Sequence, residues 1–84
     1  MIKVVLPELG SEVNEATISY WHFEEGNKVN KDEDLVEMVT DKATFNIPVP
    51  CSGTLSKIYF EEGDTVKVGE VIAIIEEEFD DVDN

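Results

Sequence analysis

TISYWHFEEGNKVNKDEDLVEM, residues 17–38, aligns without a gap on TLSKIYFEEGDTVKVGEVIAII, residues 54–75. The offset is 37, and eight of the 22 positions are identical: Thr17/Thr54, Ser19/Ser56, Phe23/Phe60, Glu24/Glu61, Glu25/Glu62, Gly26/Gly63, Val29/Val66 and Glu33/Glu70. Two copies are too few for a solenoid, so the repeat describes one domain built from two similar halves about a pseudo-two-fold axis. Each half reads as strand, Glu-Glu-Gly-Asn/Asp turn, short strand, polar turn, strand. Gly26 and Gly63 suit positive φ in those turns. Trp21, Phe23, Val29 and Leu35 are expected to face inward in one half, and Ile58, Phe60, Val66 and Ile72 in the other. The spacing Ile18, Trp21, Phe23 breaks strict alternation, and Leu55, Ile58, Phe60 breaks it identically. A bulge in each long strand explains the shared slip. No segment has a sustained helical period with start and stop signals. The expected fold is all-β: a sandwich or flattened barrel of short antiparallel strands.

Between the copies lies Thr40-Asp41-Lys42-Ala43. It joins Leu35–Val39, apolar at 35, 36, 38 and 39, to Thr44–Val49, where Phe45, Ile47 and Val49 share one parity. A connection this short makes a hairpin. Asp at the first central position suits a type I turn, which tolerates Lys at the second. The amine of Lys42 is therefore held at a tip in solvent. That is poor geometry for a buried catalytic lysine and good geometry for an amine that another enzyme must reach. The opening strand, Ile2 to Leu6, has Thr44 to Val49 as its counterpart, and Val71 to Ile75 corresponds to the strand before Lys42. The pseudo-two-fold then maps the Lys42 hairpin onto the place where the chain ends meet. The lysine and the termini should lie at opposite ends of the domain.

The 84 residues carry six Lys, no Arg and 20 acids, for a formal charge of -14. A nucleic-acid binder needs basic charge to displace counterions, so that class is excluded, and an anionic membrane surface is disfavoured for the same reason. The lone Cys51 cannot form an internal disulfide, and with no signal peptide a reducing compartment is expected. No Ser/His/acid set can be assembled, and the only histidine is His22.

The residues Leu6-Pro7-Glu8-Leu9-Gly10, Glu24-Glu25-Gly26-Asn27-Lys28-Val29, Val39-Thr40-Asp41-Lys42-Ala43-Thr44, Gly53 and Glu61-Glu62-Gly63-Asp64-Thr65-Val66 resemble a lipoyl domain of the dihydrolipoamide acyltransferase of 2-oxo acid dehydrogenase complexes. The resemblance covers about residues 2–76 and is strongest to the pyruvate (acetyltransferase) type, through Asp-Lys-Ala-Thr and the following Ile-Pro-Val-Pro. It implies two four-stranded antiparallel sheets with quasi-two-fold symmetry. It implies lipoate covalently attached to Lys42, flanked by Asp41 and Ala43. It implies a carrier without a catalytic site of its own, since the hard chemistry belongs to the cofactor. The implied partners are a thiamine-dependent 2-oxo acid dehydrogenase that acylates the arm, the acyltransferase catalytic domain that moves the acyl group to coenzyme A, and a flavin-dependent dihydrolipoamide dehydrogenase. A lipoate ligase or lipoyl transferase attaches the arm. The loop after the first strand, Glu8, Leu9, Gly10, Ser11, Glu12 and Val13, together with Thr40 and Asp41, is the expected recognition surface for the dehydrogenase. The implied compartment is the cytoplasm of a bacterium, or the mitochondrial matrix or a plastid of a eukaryote, with the isolated domain monomeric. Many family members have Glu two residues before the Asp, where this chain has Val39, which bears on partner recognition.

Three other readings stay open at this point. Biotin carrier domains share the architecture, but their lysine usually lies between methionines, and here the neighbours are Asp41 and Ala43. The lysine could be an unmodified turn residue of an interaction module. A glycine-cleavage carrier is longer, with further helices. His22 reads as a surface strand residue, Cys51 as a small packed or loop residue, and the acidic pairs 24–25 and 61–62 as solvated residues of a structural turn, not a metal site. The overall negative field either assists docking to basic partner faces or serves solubility. Residues 77–84 read as an acidic tail that begins a flexible linker, as in the family.

Overall fold

The computed structural model describes residues 1–10 and 12–78. It contains eight strands: β1 (Ile2–Val5), β2 (Glu15–Trp21), β3 (Lys28–Val29), β4 (Asp34–Val39), β5 (Thr44–Pro48), β6 (Gly53–Ile58), β7 (Thr65–Lys67) and β8 (Val71–Glu77). They form two four-stranded sheets, ordered β1-β8-β6-β3 and β5-β4-β2-β7, with every pairing antiparallel. Exchanging β1 with β5, β2 with β6, β3 with β7 and β4 with β8 converts one order into the other. The repeat in the sequence is therefore the symmetry of the fold.

The symmetry extends to single hydrogen bonds. Gly63 N–H donates to the Ile18 carbonyl (2.8 Å) and Ile18 N–H to Asp64 O (2.8 Å); 37 residues away, Gly26 N–H donates to Leu55 O (2.7 Å) and Leu55 N–H to Asn27 O (2.9 Å). Each turn of one half is thus laced to the long strand of the other. Gly26 and Gly63 have φ of 94° and 96°, the left-handed conformation that L side chains resist.

Both expected bulges are present. Along β2 the pairing with β4 steps from Ile18 to Tyr20 and skips Ser19; along β6 the pairing with β8 steps from Leu55 to Lys57 and skips Ser56. The second glutamate of each acidic pair serves the bulged strand of the opposite half. Glu62 Oε2 accepts from Trp21 N–H (3.1 Å) and Glu25 Oε2 from Ile58 N–H (2.7 Å). These acids do more than keep a turn solvated: each satisfies a backbone donor across the pseudo-two-fold.

The core lies between the sheets and holds Leu6, Ile18, Val29, Leu35, Met38, Val49, Leu55, Val66, Ile72 and Ile75, all under 2% exposed, with no buried polar residue among those described. The alternation reading correctly placed Val29, Leu35, Val66 and Ile72. Trp21, Phe23, Ile58 and Phe60 are only half-buried and pack against the edge of that core. They line a groove on the pseudo-two-fold axis, where Trp21 Nε1–H donates to Phe60 O (3.0 Å). The bulge turns each long strand outward before these residues, so their parity no longer points at the centre. β8 runs two residues past the expected Ile75, and residues 79–84 of the acidic tail lie outside the described residues.

That extension of β8 makes Gly53 obligatory. Gly53 sits between Val29 and Glu77, and a Cβ there would fall on the carbonyl oxygen of Glu76. Its counterpart in the repeat, Ala16, keeps its methyl because β4 ends at Val39 and leaves that side open. Gly53→Ala should cost about 2–3 kcal/mol by overpacking against a backbone. In a thermal melt that is a fall of roughly 10–20 °C for a domain of this size. An unchanged melting temperature would show that the end of β8 moves aside freely.

Candidate functional site

Lys42 sits where β4 turns into β5. Thr40 N–H donates to Ala43 O (2.8 Å), closing the last backbone bond of the hairpin. The Thr40 side chain takes over the rest of the turn. Its Oγ1 accepts from Lys42 N–H (3.1 Å) and from Ala43 N–H (3.0 Å), and its hydroxyl donates to Ala43 O (3.2 Å). Short hydroxylated side chains favour turns because they mimic a backbone acceptor two residues on. Thr40 is half-buried while Asp41, Lys42 and Ala43 are exposed, so the hydroxyl is the anchor, Asp41 and Lys42 form the tip and Ala43 closes the turn. Neither central residue has positive φ, which excludes the mirror-image hairpin turns. The sequence reading placed the tip correctly but assigned the turn to Asp41, and named Thr40 as a recognition residue without its role in the turn. The available signal was a threonine two residues before the lysine, the spacing of a hydroxyl-capped turn.

The Lys42 side chain is 66% exposed, and Nζ lies 4.0 Å from Glu12 Oε1, itself on an 84% exposed side chain. A contact this long and this wet contributes little to stability. It does place the loop between β1 and β2 beside the hairpin. Of the expected recognition residues, Glu12, Val13, Thr40 and Asp41 line one cleft of about 540 Å³, together with Asn14 and Thr17. Glu8 and Gly10 are exposed outside it, Leu9 is half-buried against the core, and Ser11 lies outside the described residues.

The other five lysines occupy different settings. Lys3, Lys28, Lys57 and Lys67 are in strands, and Lys31 is in the turn before β4. Among the described residues, the start of β1 and the end of β8 lie away from the hairpin, as the symmetry requires. Ile2 and Ile75 pair at one end of their sheet, whereas Val5 pairs with Val71 at the other. From that second end the chain passes to Glu15, which pairs with Lys67, in the same quarter of the molecule as the hairpin.

The remaining chemistry-bearing residues are ordinary. His22 is exposed and its Nε2 lies 2.8 Å from Asn46 Oδ1. Cys51 is half-buried, and desolvation, then the charge of Glu77, pushes its thiol above the usual range, which suppresses the nucleophilic thiolate. No group of three metal-ligating side chains occurs among the described residues. There is no helix among them, hence none long and apolar enough to cross a membrane.

An exposed lysine on a two-residue hairpin tip, with its amine in solvent, is open to covalent modification by another enzyme. Comparison with known proteins agrees. The family model described as "Biotin-requiring enzyme", the biotin/lipoyl model, matches residues 2–75. The succinyltransferase component of the 2-oxoglutarate dehydrogenase complex of Rickettsia conorii is 43% identical over 76 residues, which is 90% of this chain and 19% of that protein. The acetyltransferase component of the pyruvate dehydrogenase complex of Corynebacterium glutamicum is 50% identical over 72 residues, 86% of this chain and 11% of that protein. The chain therefore spans less than a fifth of the length of these relatives. The solution structure of the lipoyl domain of the 2-oxoglutarate dehydrogenase complex of Azotobacter vinelandii superposes with a TM-score of 0.77 at 30% identity, covering 92% of this chain and 98% of that one. The chain belongs to the biotin/lipoyl carrier family and is a lipoyl domain of the dihydrolipoamide acyltransferase kind, whose members carry lipoate covalently on a lysine.

Proposed function

We propose that Lys42 is the lipoylated residue and that the domain ferries an acyl group from a thiamine-dependent 2-oxo acid dehydrogenase to an acyltransferase catalytic domain. A dihydrolipoamide dehydrogenase then resets the arm. One observation carries the assignment: of the six lysines, Lys42 alone stands at a tight hairpin tip, with its backbone fixed and its amine in solvent. Attachment forms an amide between Nζ and the carboxyl carbon of lipoate. The carboxyl arrives activated as a mixed anhydride with a phosphate, the activating group leaves, and the proton of the amine goes to solvent. Once attached, lipoate supplies the reducible disulfide that accepts and carries the acyl group. The protein supplies place and identity. The tip holds the root of the arm, and the start of β1 and the end of β8, away from the hairpin, let any tether leave the arm pointing outward. Tethering keeps the carried group at high local concentration near successive active sites.

The proposed recognition surface is the loop Glu8, Leu9, Gly10, Ser11, Glu12 and Val13 together with Thr40 and Asp41; of these, Glu12, Val13, Thr40 and Asp41 line the cleft beside the hairpin. The acyl group is read as acetyl, as in the pyruvate-type complexes, from Asp41-Lys42-Ala43-Thr44 followed by Ile47-Pro48-Val49-Pro50, and the 50% identity to the Corynebacterium acetyltransferase component supports it. The succinyltransferase relatives point to 2-oxoglutarate with comparable weight, and reductive acylation by pyruvate and 2-oxoglutarate dehydrogenases side by side decides between them. The proposed setting is the bacterial cytoplasm, or the mitochondrial matrix or a plastid, with the acidic tail that follows β8 beginning the linker to further domains.

Intact mass after incubation with lipoate ligase, ATP and lipoate tests the assignment. The wild-type chain should gain one lipoyl group. Lys42→Arg should gain none and melt at the wild-type temperature, because the side chain makes no buried contact. A lipoyl group found on another lysine of the variant would sink the assignment.

A further inference from the structure

The pseudo-two-fold shows what the fold needs and what it does not. Bulges, cross-half hydrogen bonds and glutamate caps occur in both halves and are structural. At the hairpin the symmetry is broken. Residue 40 corresponds to Glu77, which continues its strand and pairs with Gly53. Thr40 ends its strand and puts a hydroxyl into the turn, with three hydrogen bonds within two residues of Lys42.

We infer that Thr40 is a positioning residue for modification of Lys42: its hydroxyl fixes the tip in the one backbone conformation that the lipoyl-attaching enzyme accepts. The inference rests on the assignment of Lys42 as the lipoylated residue. In an ordinary hairpin the N–H of the fourth residue bonds to the carbonyl of the first. Here the N–H groups of Lys42 and Ala43 both converge on a side-chain oxygen. Remove the oxygen and both donors face solvent. They hydrate readily and the bond from Thr40 N–H to Ala43 O still closes the hairpin, so the domain keeps its fold, but the N–H groups of Lys42 and Ala43 no longer hold the tip in one state. An enzyme that docks only the ordered tip then meets a smaller competent fraction of its substrate. Apparent affinity falls by that fraction while the chemical step on a docked tip is unchanged. Thr40 does not touch the reacting amine, so its effect belongs in KM and not in kcat.

Thr40→Val keeps the β-branched shape and removes the oxygen; Thr40→Ser keeps the oxygen and removes the methyl. Lipoate ligase is assayed with each domain as the varied substrate. Thr40→Val should raise KM for the domain at least about tenfold with kcat within twofold of wild type, and Thr40→Ser should restore KM. Two further readouts separate positioning from stability and exposure. The melting temperature of Thr40→Val should stay within a few degrees of wild type, and the rate at which a small N-hydroxysuccinimide ester acylates Lys42 should be unchanged. Thr40→Ala serves in place of the valine variant should valine disturb the end of β4. A wild-type KM in both the Val and Ala variants overturns the role of Thr40, as does a serine variant as impaired as valine. A wild-type domain that gains no lipoyl group overturns the Lys42 assignment itself, and with it the need for a positioned tip.

Discussion

Exchanging the two tip residues, Asp41→Lys together with Lys42→Asp, should leave the domain folded and cut its lipoylation by about a hundredfold or more. Charge and composition do not change. Both side chains are exposed, and the hydrogen bonds that shape the turn come from Thr40 Oγ1 to backbone N–H groups, which survive the exchange. Only the direction of the amine changes, because successive residues of a hairpin point their side chains to different faces. A displaced nucleophile loses rate steeply: misplacement by about 1 Å can cost a hundredfold. The measurement is lipoyl mass against time under ligase-limited conditions, with circular dichroism as the control. Equal rates for the two domains would mean that the enzyme reads exposure alone, and the positioning role of Thr40 would fall with it.

How much of this was legible beforehand depends on where the controlling signal lies in the chain. The two halves and the bulges were readable because the sequence states each of them twice, and the tip because a short connection joins two β-rich runs. Ile18-Trp21-Phe23 and Leu55-Ile58-Phe60 slip phase together, and the structure skips Ser19 and Ser56 at the same step of the pairing. The burial of Trp21 and Phe60 was overread for a related reason. Parity was carried through a bulge that turns the strand toward the groove. The carboxylates of Glu25 and Glu62 read as solvated because nothing in a local window reveals that their acceptors reach across a two-fold axis to Ile58 and Trp21. The turn-capping role of the Thr40 hydroxyl is hidden for a different reason. A hydroxyl that replaces a carbonyl in a turn leaves the hydrophobic pattern untouched. Gly53 was legible as a family residue, but its cause, two extra residues of β8, needs the sheet.

The loop between β1 and β2 is the other place where the halves differ, and its removal should separate attachment from use. Six residues more lie between β1 and β2 than the β5–β6 register requires, since β1 matches β5 at an offset of 43 and β2 matches β6 at 37. Deleting residues 10–13 leaves residues 6–9 and 14 to join the strands, whereas the other half spans the equivalent gap with residues 49–52. The fold therefore has a worked precedent for the shorter connection. Leu6 keeps its bonds to Glu70 and Gly69, and the core residue Ala16 is untouched. The deletion removes Glu12 and Val13 from the cleft beside the hairpin but not the Thr40 anchor. Lipoylation at Lys42 should continue at the wild-type rate, because the tip is intact. Reductive acylation by the cognate 2-oxo acid dehydrogenase should lose about a hundredfold in kcat/KM, the equivalent of two contacts of about 1.5 kcal/mol each. The dithiolane is the same on every such domain, so the protein beside it must tell the dehydrogenase which domain it has met. A loop that the fold does not need is where that information can be stored without cost to stability. Acylation of the deletion variant at the wild-type rate would move recognition to Asp41 and Ala43 or to the acidic field as a whole. Salt distinguishes these, because a long-range field weakens as ionic strength rises while short contacts at the tip persist.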